Sequence, residues 1–421
     1  MWMIQMNYME LYSKLLNKLI QNNKNGYWLL KSGILIGKNY VKYFPDKRLP
    51  RSFQYLHKIV FDWTYKGIAS KSSVWVNLFA PSEILLAFGF NPIFVEAISA
   101  FLSGLDVEDE LILKAESQGI SESFCTFHKA FLGAAISNLL KKPKFLVATS
   151  NICDANLNTF RFLSETLKLP FFFLDVPSED SKEAMQYLKA QLSSIINSIE
   201  KLTGRKRNLD YLAKIIKKEN ATRKLIKESL QLRSTKNIKT TLTFEMFMLY
   251  PSHVFCGTDP ALRFYQMFVD DLKNSEERGG KSIFFIHTLP IFEENFKEYF
   301  NFSSRINVLG MDLNFDFLDE INEQDPIEAI CEKLLKNPYN GDFKRRFEHI
   351  KTLIEILKPD GVLQICQMGC KQSIGCSMLL KSNIETLGIP FTTIDVDCVN
   401  KKNNGKEQIR TRLEAFLERV K

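Results

Sequence analysis

The chain has no Cys-x-x-Cys pair, no Gly-x-Gly-x-x-Gly run and no Walker-type phosphate loop. Its apolar stretches are all broken before they reach bilayer length. Each absence excludes something. Without the glycine motifs, nucleotide hydrolysis by this chain itself has no sequence basis. The longest apolar region, residues 74–102, is interrupted by Pro81, Glu83, Gly89, Pro92 and Glu96. It is therefore expected to be core and not a membrane span. The start, MWMIQMNYMELYSKLL, has polar and acidic breaks and no small-residue cleavage site, so no cleavable signal peptide is expected. Eight cysteines without a pairing pattern point to a reducing, cytoplasmic setting and a soluble protein, not to a disulfide framework.

What is present is ordinary globular composition at a generous length. The 421 residues are 45% hydrophobic and 25% charged, enough for two α/β domains with helical additions. The net charge of +8 is spread along the chain. It suits an anionic ligand such as a nucleotide-bearing thioester better than a nucleic acid, and no nucleic-acid or membrane partner is expected.

The text divides into four segments. Residues 1–73 read as a helical N-terminal extension, with amphipathic spacing at 9–20 and 53–68. Residues 74–200 read as a first α/β domain, with strands at 75–79, 93–96, 145–149 and 171–176. Between the first two, Pro81 opens a helix carrying Glu83 in its first turn. Residues 201–275 form a helical connector, and 276–421 a second α/β domain with strands at 282–287, 305–309, 361–366 and 391–396. Alternating strands and helices at this spacing imply two doubly wound, parallel-sheet, Rossmann-like domains.

Two cysteines stand at equivalent points. Cys370 follows the strand 361–366 and a glycine-broken turn, where a helix opens; Cys153 follows the strand 145–149 in the same way. The carboxyl ends of parallel strands are where open α/β sheets present ligands. Cys125, near the start of a helix spanning 121–140, is a third candidate. Three thiolates suit a soft-metal site, here an iron–sulfur cluster, although a free cysteine is also a common small core residue. Cys366 and Cys376 read as packing residues beside such a site, and Cys256, Cys331 and Cys398 as structural. Glu83 is a candidate base or substrate-positioning group, or equally a partner for the helix dipole. His128, three residues after Cys125, could bond near the cluster or equally be a surface histidine; the other four histidines carry no motif.

Assembled, these pieces resemble the 2-hydroxyacyl-CoA dehydratase family, which includes the 2-hydroxyglutaryl-CoA dehydratase D-component, benzoyl-CoA reductase subunits and double-cubane reductases. The resemblance covers roughly residues 75–400. It is carried by Pro81-x-Glu83 before Gly89, Cys125 ahead of a small-residue helix and Cys153-Asp154 after a strand. It continues in Leu202-Thr203-Gly204 with Asp210-Tyr211-Leu212, in Gly257-Thr258, and in Asp360-Gly361-Val362 followed by Cys370. Two departures are visible: Ser82 stands where a glutamate is common, and Lys371 where an acidic residue often follows the third cysteine.

The resemblance implies a [4Fe–4S] cluster on Cys125, Cys153 and Cys370 with one iron open. It implies an acyl-CoA substrate, an ATP-dependent activator protein that delivers one electron, and a homologous partner subunit in a hetero- or homodimer. The implied reaction is elimination of water from a 2-hydroxyacyl-CoA through a ketyl radical. Two alternatives stand beside it: a reductase with a double-cubane [8Fe–9S] cluster, and a non-catalytic acyl-CoA-binding subunit.

Overall fold

The structure, a computed structural model, describes residues 2–420. Three helices come first: α1 (Trp2–Gln21), α2 (Tyr27–Tyr43) and α3 (Arg51–Ala69). The first α/β unit follows. Its strands are β1 (Ser73–Val76), β2 (Asn91–Phe94), β3 (Leu146–Thr149) and β4 (Phe171–Leu174). Its helices are α4 (Ser82–Ala87), α5 (Val95–Ser103), α6 (Glu108–Glu116), α7 (Thr126–Ile136) and α8 (Asp154–Leu167). The strands make one parallel sheet in the order β2-β1-β3-β4. β1, β2 and β3 are buried along their whole length, as sheets covered on both faces require, and only the edge strand β4 is half-exposed.

A helical stretch then crosses to the second unit through α9 (Lys182–Thr203), α10 (Leu209–Arg233), α11 (Leu242–Phe247), a π-helical turn over Tyr250–Val254, and α12 (Asp259–Lys273). α10 is more than a tether. It buries Glu219, Asn220, Arg223 and Arg233 among its neighbours, which explains why it has no clean apolar stripe in sequence.

The second unit contains β5 (Lys281–Ile286), α13 (Glu294–Phe300), β6 (Ile306–Met311), α14 (Pro326–Leu335) and α15 (Phe343–Leu357). It ends with β7 (Gly361–Gln367), α16 (Lys371–Ile374), α17 (Ser377–Glu385), β8 (Phe391–Val396) and α18 (Lys406–Arg419). Its sheet runs β6-β5-β7-β8, all parallel. Counted within its own half, that order repeats the first sheet's. The two halves share one topology, as the doubly wound reading expected.

Local boundaries differ from the sequence expectation where capping and turns intervene. The first strand ends at Val76, because Asn77 turns inward and exchanges hydrogen bonds with Thr149 at the end of β3, both at 3.1 Å. The second strand stops at Phe94, and Glu96 lies in the first turn of α5. The helix expected from 121 begins only at Thr126, so Cys125 caps it instead of lying within it. The helix after Cys370 is broken at Gly375–Cys376 into α16 and α17, so Cys376 does not lie on a continuation of one helix.

α7 lies close against α6 because Gly133 has no side chain: a Cβ there would run into the carbonyl group of Leu111. That close approach fixes the helix whose first residue follows Cys125.

Candidate metal centre

Cys125, Cys153 and Cys370 each stand immediately before a helical segment, and all three line one cavity of about 740 Å³ between the two sheets. Cys153 follows β3 and Cys370 follows β7, the corresponding strands of the two units. The turn geometry repeats too. The residue before each cysteine has a left-handed backbone, Ile152 at φ 71° and Gly369 at φ 73°. For a β-branched residue that conformation is strained, and such strain is retained where the surroundings demand it. His287, at the end of β5, is also left-handed, with φ 77°. It brings Nε2 to 3.4 Å from the Cys370 sulfur.

A hydrogen-bonded bridge holds the first unit against the second beside the thiols. Thr126 donates its hydroxyl to Asp397 at 2.7 Å, and Gln367 Nε2 donates to Thr126 Oγ1 at 2.9 Å. Asp397 Oδ1 also accepts from the backbone amides of Val399 at 3.0 Å and Asn400 at 2.8 Å. The residue after Cys125 is thereby tied to the ends of β7 and β8.

The thiols sense one another. Burial pushes the Cys125 thiol well above its ordinary pKa, and negative charge on Cys370 and Cys153 would push it further. Cys153 is pushed up to about 12, by burial first and then by Cys370. Backbone amides oppose this: those of Phe127 and His128 favour the Cys125 thiolate, and those of Ala155 and Asn156 the Cys153 thiolate. Among the described residues, no lysine or arginine lines the cavity. Arg346, outside the lining, is the cation that acts on Cys370. Three soft donors, with amides directed at the sulfurs of Cys125 and Cys153, make a set suited to a positively charged bound group. Cys370 acts electrostatically on both Cys125 and Cys153, so the three thiols face a common space. A polynuclear cluster fits this set.

The remaining cysteines stay outside the cavity lining. Cys366 points its thiol at the Ser373 carbonyl, 3.7 Å away, and Cys376 lies 3.0 Å from Arg346 Nη1. Cys256, set aside in sequence, has company: its sulfur and carboxylate oxygens of Glu83 and Glu219 lie within 4.8 Å of one another. Glu83 is fully buried and pairs with Lys333, which also reaches Glu219 at 3.0 Å, while Glu219 pairs with Arg223. Two carboxylates face two cations there, so a metal ion would have to displace one of them. Glu83 does not line the cysteine cavity.

Two residues the sequence reading did not select are in the cavity wall. Glu96 is half-buried, its buried Oε2 has no partner among the described residues, and burial pushes its carboxyl up to about 7. A carboxylate inside the apolar run Val-Glu-Ala-Ile was the available signal. His287 had none, since only the sheet topology brings it to Cys370. His128 is buried and bonded to Thr159 at 2.9 Å, and burial lowers it to about 4.

Comparison with known proteins identifies the family. The family model described as 2-hydroxyglutaryl-CoA dehydratase, D-component, matches residues 77–420. The chain belongs to that family. Among its relatives is the (R)-2-hydroxyisocaproyl-CoA dehydratase alpha subunit of Clostridioides difficile, 21% identical over 82% of this chain and 89% of the relative. The (R)-phenyllactyl-CoA dehydratase alpha subunit of Clostridium sporogenes is 21% identical over 82% and 88%. A component of benzoyl-CoA reductase from Thauera aromatica is 22% identical over 74% and 79%. Dehydratase subunits are thus its relatives, and no described helix is long and apolar enough to cross a membrane.

Proposed function

We propose that this chain is the iron–sulfur component of a 2-hydroxyacyl-CoA dehydratase-like system, with Cys125, Cys153 and Cys370 holding a [4Fe–4S] cluster. The observation that carries the reading is the meeting of three helix-opening thiols in one cavity at the ends of two like sheets. When bound, the cluster would supply a Lewis-acidic iron and a low-potential electron for loss of the 2-hydroxyl group.

The chain's own residues have separable tasks. The apolar walls exclude water, which strengthens every polar interaction inside. His287 Nε2 fixes the orientation of the Cys370 sulfur, and the Thr126–Gln367–Asp397 bridge holds Cys125 in register with it. Burial brings the Glu96 carboxyl up to about 7, so near neutral pH it can give or take a proton, and its free Oε2 is placed to exchange one with a bound ligand. Glu83 is assigned to the buried ion-pair network with Lys333, away from the ligand. Because relatives are alpha and beta subunits, the reading includes a homologous partner subunit; the ATP-dependent activator as electron source is what the family resemblance implies. A double-cubane cluster would need further sulfur ligands, and Cys366 and Cys376 do not line the cavity.

The test is iron and sulfide counting after anaerobic reconstitution. About four iron and four sulfide per chain are expected, falling in Cys153→Ala and unchanged in Cys256→Ala. A count near zero in the parent protein, or full retention in Cys153→Ala, would remove the proposal.

A further inference from the structure

The cavity extends well beyond the thiols. Its far wall is built by the N-terminal helices, with Tyr8 and Tyr12 from α1, Ile34 and Tyr40 from α2, and His57 and Phe61 from α3. All of these precede residue 77, where the family match begins. Two glycines one turn apart on α2 make the wall thin. A Cβ on Gly33 would run into the Tyr12 hydroxyl, and one on Gly37 would fall 2.8 Å from the Phe61 ring. The rings of α1 and α3 therefore lie directly against the α2 backbone.

The charge content of this wall decides what can enter. Among the described lining residues there is no lysine or arginine. Among the described lining residues, Glu96 is the single acidic group. A ligand carrying a second carboxylate would bury it without a partner cation and beside Glu96, at a heavy cost. An apolar group loses nothing there and gains with every methylene buried.

We infer that the N-terminal helices make this an acyl site for bulky, uncharged, apolar groups, aromatic or long-chain alkyl, and that it rejects dicarboxylic acyl groups. The inference rests on the acyl-CoA reading above and assigns the discrimination to α1–α3, a part of the chain outside the family match.

The test is calorimetric titration of the full-length protein with octanoyl-CoA, 3-phenylpropanoyl-CoA, glutaryl-CoA and free CoA. The first two are expected to bind at least about tenfold more tightly than the last two. Ala100→Phe fills the cavity from α5 and should erase that preference without changing free CoA binding. Leu105→Arg supplies the missing cation and should shift the ratio toward glutaryl-CoA. The uncharged dye Nile red reads the cavity alone, should bind the parent protein, and should be lost in Ala100→Phe. Glutaryl-CoA binding as tightly as octanoyl-CoA, or a preference that survives both substitutions, would overturn the inference while leaving the acyl-CoA reading intact. Nile red bound and lost as expected, with no CoA ester bound at all, would overturn that reading and the ester assignment with it.

Discussion

The units around Cys153 and Cys370 are the same device built twice with different constraints. In both, the third strand of the half ends, the chain turns through one left-handed residue, and a cysteine opens a helical segment. At position 369 the left-handed residue is glycine, and a Cβ there would lie 2.8 Å from the Ser123 carbonyl and 2.9 Å from the Cys125 amide. At position 152 it is isoleucine, whose side chain lines the cavity. The glycine turn is shaped by what it must approach, the isoleucine turn by what its side chain must cover. Their surroundings differ as well: Cys370 contacts a neutral imidazole, whereas Cys153 feels the buried carboxyl of Glu96. A single thiol motif is thus set between a proton-holding group on one side and a sulfur-orienting group on the other.

The comparison breaks most sharply at Gly369. Gly369→Ala adds both left-handed strain and a clash with backbone atoms near Cys125, and should cost roughly 2–4 kcal/mol in chemical denaturation. It should also lower cluster occupancy, because the segment displaced carries a thiol. A loss below about 0.5 kcal/mol, within the range of ordinary surface substitutions, would show that the close approach is not needed.

Glu96 sharpens the asymmetry through pH. Its carboxyl is held near 7 in the fold by burial, above the ordinary 4.5. Its contribution is fully present below pH 4.5 and is lost as pH rises through 7, when ionisation inside the cavity becomes costly. Glu96→Gln should therefore be more stable than the parent at pH 8 by roughly 1–3 kcal/mol, the difference shrinking below about pH 5. Taking variant minus parent at each pH cancels the opposite contribution of His57 and His128, neutral in the fold, which destabilise as pH falls from 6.5 toward 4. A difference independent of pH would mean that Glu96 does not titrate in the fold.

The smallest effect is expected at the other turn. Ile152→Gly removes left-handed strain worth about 1–2 kcal/mol and loses a half-buried side chain of similar worth, so the net change should stay within about 1 kcal/mol. Thermal unfolding of the 152 and 369 variants side by side checks the contrast. Equal losses would erase it.

Much of this was legible in the sequence because it is written locally. Strand–turn–cysteine–helix spacing marked Cys153 and Cys370, and the strand-and-helix alternation gave the two parallel sheets. Position 125 was visible as a cysteine near a helix start, but not as the cap itself, because its helix begins only where Thr126 is anchored by Asp397, 271 residues away. The same distance hides Asp397, Gln367 and His287: each matters through a partner in another element, and nothing in the neighbouring text announces it. Glu83 shows the opposite failure. Its place in a helix opening looked chemical, yet Lys333, 250 residues later, neutralises it in a buried pair. Even the long helix α10, read as a connector, is packed tightly enough to bury charges whose partners are remote in sequence.

Anomalous scattering at the iron edge from anaerobically grown crystals of the reconstituted protein tests the central claim most directly. One compact peak bounded by the sulfurs of Cys125, Cys153 and Cys370 is the predicted result. Iron located beside Cys256, Glu83 and Glu219, or bound by fewer than all three of the cavity thiols, would contradict it.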